Sequence, residues 1–136
     1  MSYEYFLSAY TDGESENIST EKILQVLERF ISKKDENAVE LTFDEINNCC
    51  IYLDIDEPFV NGMMISRPCG GEQFIECIFQ IMQLGNFVFF EPDGKHMIAL
   101  NPEIQRHLPE DMIESLGEPL IATDGETFFK FISENR

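Results

Sequence analysis

Arg67-Pro68-Cys69-Gly70-Gly71 is the short run of this 136-residue chain whose residue types and spacing come nearest to a chemical site. Two glycines ahead of a helix leave backbone N–H groups exposed, and the positive end of the helix dipole favours an anion there. Arg67 adds a charge-assisted donor. A thiol such as Cys69 near that positive end is pushed toward thiolate. The run therefore suits anion or small-ligand binding, or a cysteine nucleophile with His96 or His107 as its base. Against this, the pattern lacks the full phosphate loop, and nothing in the sequence places either histidine beside Cys69. Glu72 follows at once and would repel an anion or occupy the site itself. The simpler reading is a tight strand-to-helix turn around a small buried thiol, and no residue is assigned a catalytic role.

Carboxylates form the other candidates. Asp54, Asp56 and Glu57 are the densest acidic knot. Three carboxylates suit a hard divalent cation, but no histidine, asparagine or further carboxylate stands at ligand spacing. A docking surface for a basic partner, or a solvated strand end protected by charge, fits better. Glu110, Asp111 and Glu114 lie in the first turns of a short helix, where acid suits the dipole, and they make a second candidate partner surface. Thr11 to Asn17 is acidic as well. An EF-hand loop wants glycine at its sixth position and glutamate at its twelfth, whereas Asn17 and Ile23 stand there, so a solvated loop is expected. His96 and His107 have no spaced companion. Neither a metal nor a cofactor is called for.

The whole-chain charge points the same way. Twenty-six Asp and Glu against nine Lys and Arg give a net charge of -17. Direct binding to nucleic-acid phosphates or to an anionic membrane needs a positive field and is not expected. A basic protein partner is attracted. An apolar fraction of 43% argues against disorder, which needs low hydrophobicity as well. Cysteines 49, 50, 69 and 77 have no zinc-site spacing, and adjacent Cys49 and Cys50 point to opposite faces of a strand. Thiols imply a reducing compartment. With no signal-like first residues and no apolar run long enough for a bilayer, a cytoplasmic protein of one domain is expected.

The elements that must position these residues follow from periodicity. Tyr3 to Tyr10 reads as a strand. Ser19 caps a helix over Thr20 to Lys33, with Ile23, Leu27, Phe30 and Ile31 on one face and Lys33 and Lys34 in its last turn. Ala38 to Phe43 and Cys49 to Ile55 are strands. Asn61-Gly62 predicts a hairpin between Phe59-Val60 and Met63-Met64-Ile65. The most apolar stretch, Met63 to Asn101, holds that last strand, a helix over Glu72 to Leu84 ended by Gly85, and a hairpin of Phe87–Glu91 with His96–Leu100 around Pro92-Asp93-Gly94. The helix is apolar around its circumference and should be covered on more than one side. Asn101 and Pro102 open a short helix, Pro109 restarts another over Glu110 to Leu116, and Gly117 closes it. Leu120 to Ala122 is a short strand. Asp124 caps a final helix whose Phe128, Phe129, Phe131 and Ile132 face the core. The fold class is α+β: a mixed, largely antiparallel sheet of five or six strands with helices packed on it.

The profile resembles that of the immunity proteins that accompany bacterial polymorphic toxins of type VI, contact-dependent and Rhs systems. They too include single acidic cytosolic α+β domains without a catalytic signature. The run His107-Leu108-Pro109-Glu110-Asp111-Met112 through Ser115-Leu116-Gly117 has the look of a family signature. The resemblance implies an inhibitor, not an enzyme, that occludes the active site of a basic toxin domain. It carries over no individual residue.

Overall fold

Residues 4–10 alternate strictly, with Tyr5, Leu7 and Ala9 buried and Glu4, Phe6, Ser8 and Tyr10 half-buried. That period of two makes them a strand with one face on a core, and the sheet is built on it. In the computed structural model, which describes residues 4–66, 71–91 and 97–134, this is β1 (Glu4–Thr11). There follow β2 (Glu14–Ser15), β3 (Ile18–Ser19), α1 (Thr20–Leu27) with a 3-10 turn (Glu28–Phe30), β4 (Ile31–Asp35), β5 (Ala38–Thr42), β6 (Asn48–Tyr52), β7 (Phe59–Val60) and β8 (Gly62–Ser66). The second half holds α2 (Glu72–Met82), β9 (Phe87–Phe90), β10 (Ile98–Ala99), a 3-10 helix (Pro102–His107), α3 (Glu110–Leu116), β11 (Leu120–Ile121) and α4 (Gly125–Glu134).

The fold is α+β with a mixed, mostly antiparallel sheet. The main sheet has nine strands among the described residues, not five or six. Eight run in the order β11-β10-β9-β1-β8-β6-β5-β4, and β2 pairs with β1. Every pairing is antiparallel except β10 with β11. A separate two-residue ladder joins β3 to β7. The extra strands are short: β2, β10 and β11 have two residues each, too few for alternation to register.

Two expected elements are replaced. The helix expected over 20–33 stops at Leu27, and Ile31–Asp35 turns back as β4 against β5, with a register shift between Ile31 and Lys33. Tertiary pairing overrides a helical periodicity that Phe30 and Ile31 satisfy only by coincidence. Lys33 and Lys34 therefore lie on an edge strand, and the last turn of α1 carries no basic residue. The hairpin around Asn61-Gly62 does not form: β7 pairs with β3, while β8 pairs with β1 and β6. Gly62 serves close approach, since a Cβ there would lie 2.8 Å from the Leu7 carbonyl oxygen.

Smaller corrections share one cause, local geometry that composition hides. Thr11 to Asn17 is not a simple loop. Asp12 and Gly13, at φ 52° and 83°, form the two-residue turn between β1 and β2. The strand expected over Cys49 to Ile55 ends at Tyr52. The helix after Asn101 is 3-10, and Asn101 makes no side-chain cap bond. Of the residues expected to face the core from α4, Phe128 and Ile132 are buried, but Phe129 is 40% exposed. In the β9–β10 hairpin, Phe89 faces Ile98 and Val88 faces Ala99; its expected turn, Pro92-Asp93-Gly94, lies outside the described residues.

The sheet has a core on each face. On one, α1, α2 and α4 cover Tyr5, Leu7, Val39, Leu41, Ile51, Ile65 and Phe89. Phe74, Ile75, Ile78 and Ile81 fill the middle of this core from α2. Each such side chain contributes about 1.5–3 kcal/mol by leaving water. Aromatic rings link the layers: Tyr5 meets Phe89 edge-on at 4.7 Å, and Phe89 meets Phe128 at 5.5 Å. On the other face, the second 3-10 helix and α3 cover Val88, Met97 and Ala99 at the β9–β11 end. Cys49 belongs to the first core, while Cys50, its neighbour in the strand, points the other way.

Candidate protein-docking site

The segment between β6 and β8 leaves the main sheet and is pinned at several points. The Leu53 N–H donates to the Asn37 carbonyl at 2.9 Å and the Ile55 N–H to the Glu36 carbonyl at 3.3 Å. The Glu57 N–H closes a turn onto the Asp54 carbonyl at 3.2 Å. Pro58, which has no N–H to offer a ladder, accepts a bond of 3.0 Å from the Thr20 N–H at the start of α1. Phe59 then pairs with Ser19. Ser19 in turn caps α1, its Oγ accepting from the Lys22 N–H at 3.3 Å. One short ladder thus fixes both the start of α1 and the segment that crosses it.

The result is an aromatic ridge between two grooves. Phe59 is 56% exposed and lines both. The larger, about 880 Å³, runs between α1 and residues 55–59. Glu21, Leu24, Gln25 and Glu28 line it at positions i, i+3, i+4 and i+7, the spacing of one helix face. Asp56 and Glu57 form the facing side, with Lys34 also on the rim. The smaller groove, about 420 Å³, is lined by Tyr52, Asp54 and Phe59. Among the described residues the one ion pair between Lys or Arg and a carboxylate is Arg106–Glu103 at 3.3 Å. No cation of the described chain closes on Glu21, Glu28, Asp56 or Glu57.

The expected acidic knot is thus split by Phe59: Asp54 faces one groove, Asp56 and Glu57 the other. No group of three potential metal ligands forms among the described residues. Glu110, Asp111 and Glu114 do not join this site. They are exposed on α3, whose Met112, Ile113 and Leu116 pack on the core of the opposite sheet face.

Arg67, Cys69 and Gly70 lie outside the described residues, as does His96. Gly71 caps α2 without a side-chain bond, and the Asn47 amide lies 3.7 Å from where a Cβ on Gly71 would be. His107 is engaged elsewhere: its Nδ1 accepts from the Asp12 N–H at 3.2 Å, and its carbonyl accepts from the Gly13 N–H at 2.9 Å. It holds the β1–β2 turn.

Phe59 and the acidic face of α1 are the site residues that sequence reasoning did not single out. Two signals for them exist in the chain. An aromatic follows Pro58 within a run of acids, and Glu21 and Glu28 stand two helical turns apart.

Comparison of the chain with protein-family models, curated proteins and solved structures gives no match.

Proposed function

We propose that this protein is an acidic binding protein that neutralises a basic toxin domain by covering its active site. The observation that carries this reading is the Phe59 ridge: an exposed aromatic, its backbone paired with Ser19, between carboxylates that no described cation pairs, on a chain of net charge -17. Protein interfaces draw their lasting affinity from a few anchors of this kind, aromatic residues above all. Charge supplies the approach. Complementary fields raise association to about 10⁸–10⁹ per molar per second at low salt, and the gain weakens as ionic strength rises. Toxins that act on nucleic acids carry basic surfaces for phosphates, and carboxylates can take the place of those phosphates. The likeness in profile to toxin-immunity proteins supports the choice of a toxin as partner.

Copurification with the product of the neighbouring gene, followed by assay of that product's toxic activity in the complex, tests the reading. A stoichiometric complex that persists at high salt, with the toxin inhibited, is the expected result. A neighbouring toxin domain that elutes separately and stays active would sink it.

A further inference from the structure

We infer that the groove between α1 and residues 55–59 is the recognition site itself, and that it takes a Lys/Arg-bearing segment of the partner protein that also carries an apolar side chain. This deepens the reading above and rests on it. Three features of the groove select that occupant. First, Glu21, Glu28, Asp56 and Glu57 line it against the single ammonium of Lys34, and no described cation pairs with any of the four. An arriving guanidinium or ammonium meets carboxylates that no described cation pairs with, and Arg offers them a fork of donors. Second, the groove is not merely charged. Leu24, Phe59 and Pro58 also line it, so a purely polar ligand would leave apolar surface wet. Third, Thr20 is among the lining residues, 2% exposed, and its Oγ1 has no hydrogen-bond partner. Buried hydroxyls in proteins are nearly always satisfied, so one polar atom of the lining remains for an incoming donor or acceptor.

The groove is also preformed. Its two walls are tied by the Ser19–Phe59 pairing and the Thr20 N–H to Pro58 carbonyl bond, so little ordering cost falls on binding. Glu21 and Glu28 stand roughly 10 Å apart along the helix axis at 1.5 Å per residue, which spaces two cations along the bound segment.

The test uses the intact protein and a fluorescein-labelled peptide of alternating Arg and Leu, read by fluorescence polarisation. Peptides alternating Glu and Leu, or Arg and Ser, serve as comparisons. The Arg–Leu peptide should bind tightest. Phe59→Ala and the double variant Asp56→Asn/Glu57→Gln should each weaken it by about tenfold or more, the scale of losing one anchor. Phe59 is half out of the protein, so its removal should leave the circular dichroism spectrum unchanged, and the double variant alters surface groups only. The triple variant Glu110→Gln/Asp111→Asn/Glu114→Gln removes more charge from the opposite sheet face and should change affinity by less than about twofold. If that triple variant weakens the peptide as much as the groove variants do, attraction is generic and the groove assignment is overturned. Equal binding of the Arg–Ser peptide, or no effect of Phe59→Ala, also overturns it. The same variants are then carried into the toxin complex. A complex that forms and is indifferent to them overturns the groove while leaving the inhibitor reading intact. Specific peptide binding with no toxin complex supports the groove and removes the inhibitor reading.

Discussion

Gly85 and Ile18 touch so closely that no side chain fits between them. A Cβ on Gly85 would overlap Ile18 Cδ1 and would lie 2.5 Å from Glu16 Oε1. The end of α2 is thereby clamped onto the strand that starts the docking ladder. Glu16 completes the clamp. Its carboxylate accepts from the Asn86 N–H at 2.8 Å and from Thr11 Oγ1 at 2.6 Å. Gly85 is therefore required for space. It is not among the described residues with positive φ, so the left-handed helix terminus that its sequence position suggests is not its role.

Gly85→Ala should destabilise the protein by about 1–3 kcal/mol, the usual cost of forcing a methyl into packed surroundings. Ile18→Val removes the overlapping Cδ1. Urea unfolding of the two single variants and the double variant should show a double-variant loss smaller than the sum of the singles. Strict additivity would mean that Ile18 is not what Gly85 accommodates.

Ser19→Ala removes the cap that fixes the start of α1 and, through Phe59, one wall of the groove. Loss of such a cap costs about 0.5–2 kcal/mol. Ser19→Asp, which preserves an acceptor, should recover most of it in the same chemical denaturation. A Ser19→Ala variant of unchanged stability would show that the 3.3 Å bond contributes nothing.

Two exposed carboxylates give a pH dependence of known sign. Asp124 is held below the ordinary carboxylate value first by the Thr127 N–H, which donates to it at 2.7 Å. Asp44 is lowered first by the Asn47 side-chain amide and then by the N–H groups of Ile46 and Asn47. Because both folded pKa values lie below the unfolded ones, their stabilisation is fully present above the unfolded value. It is lost as pH falls through the folded value. Asp44→Asn and Asp124→Asn keep an acceptor but cannot titrate. The double variant should lose less melting temperature than wild type between pH 5 and pH 3, taking ordinary carboxylates to titrate near pH 4. Parallel curves would assign the acid sensitivity to other groups.

What the sequence disclosed and what it hid divide along physical lines. Several elements were legible: α3 with its closing Gly117 at φ 79°, β1, the Asp124 cap, and α2 as a helix, although α2 is not covered all round as expected, since Glu72, Gln73, Glu76 and Gln80 form an exposed face. Short-range signals failed where two readings competed. Phe30 and Ile31 satisfied a helical stripe while belonging to a turn and an edge strand. Asn61-Gly62 looked like a hairpin turn because the partner of Phe59-Val60, residues 18 and 19, is forty positions away. Asp12-Gly13 was the true hairpin turn, and its signal was present but masked by acidic neighbours. Of the site, the carboxylates 54, 56 and 57 were legible as a cluster. Their division by Phe59 was not, since which groove a side chain lines is set by the β3–β7 ladder and by no local pattern.

The β4 edge makes a last prediction. β4 pairs with β5 on one side and stands at the end of the sheet order, so no described strand takes up its outer N–H and C=O groups. Ser32, Lys33, Lys34 and Asp35 are all exposed there, and the register shift between Ile31 and Lys33 interrupts the ladder. Charged side chains and irregular pairing are the usual protection against edge-to-edge association. Lys33→Val makes the strand more apolar and more β-prone while leaving Lys34, which lines the groove, in place. Light scattering coupled to gel filtration should show concentration-dependent self-association for Lys33→Val beyond that of wild type, and Lys33→Glu should not show it. Equal behaviour of the two variants would remove the lysine from any protective role and leave protection to the irregular ladder.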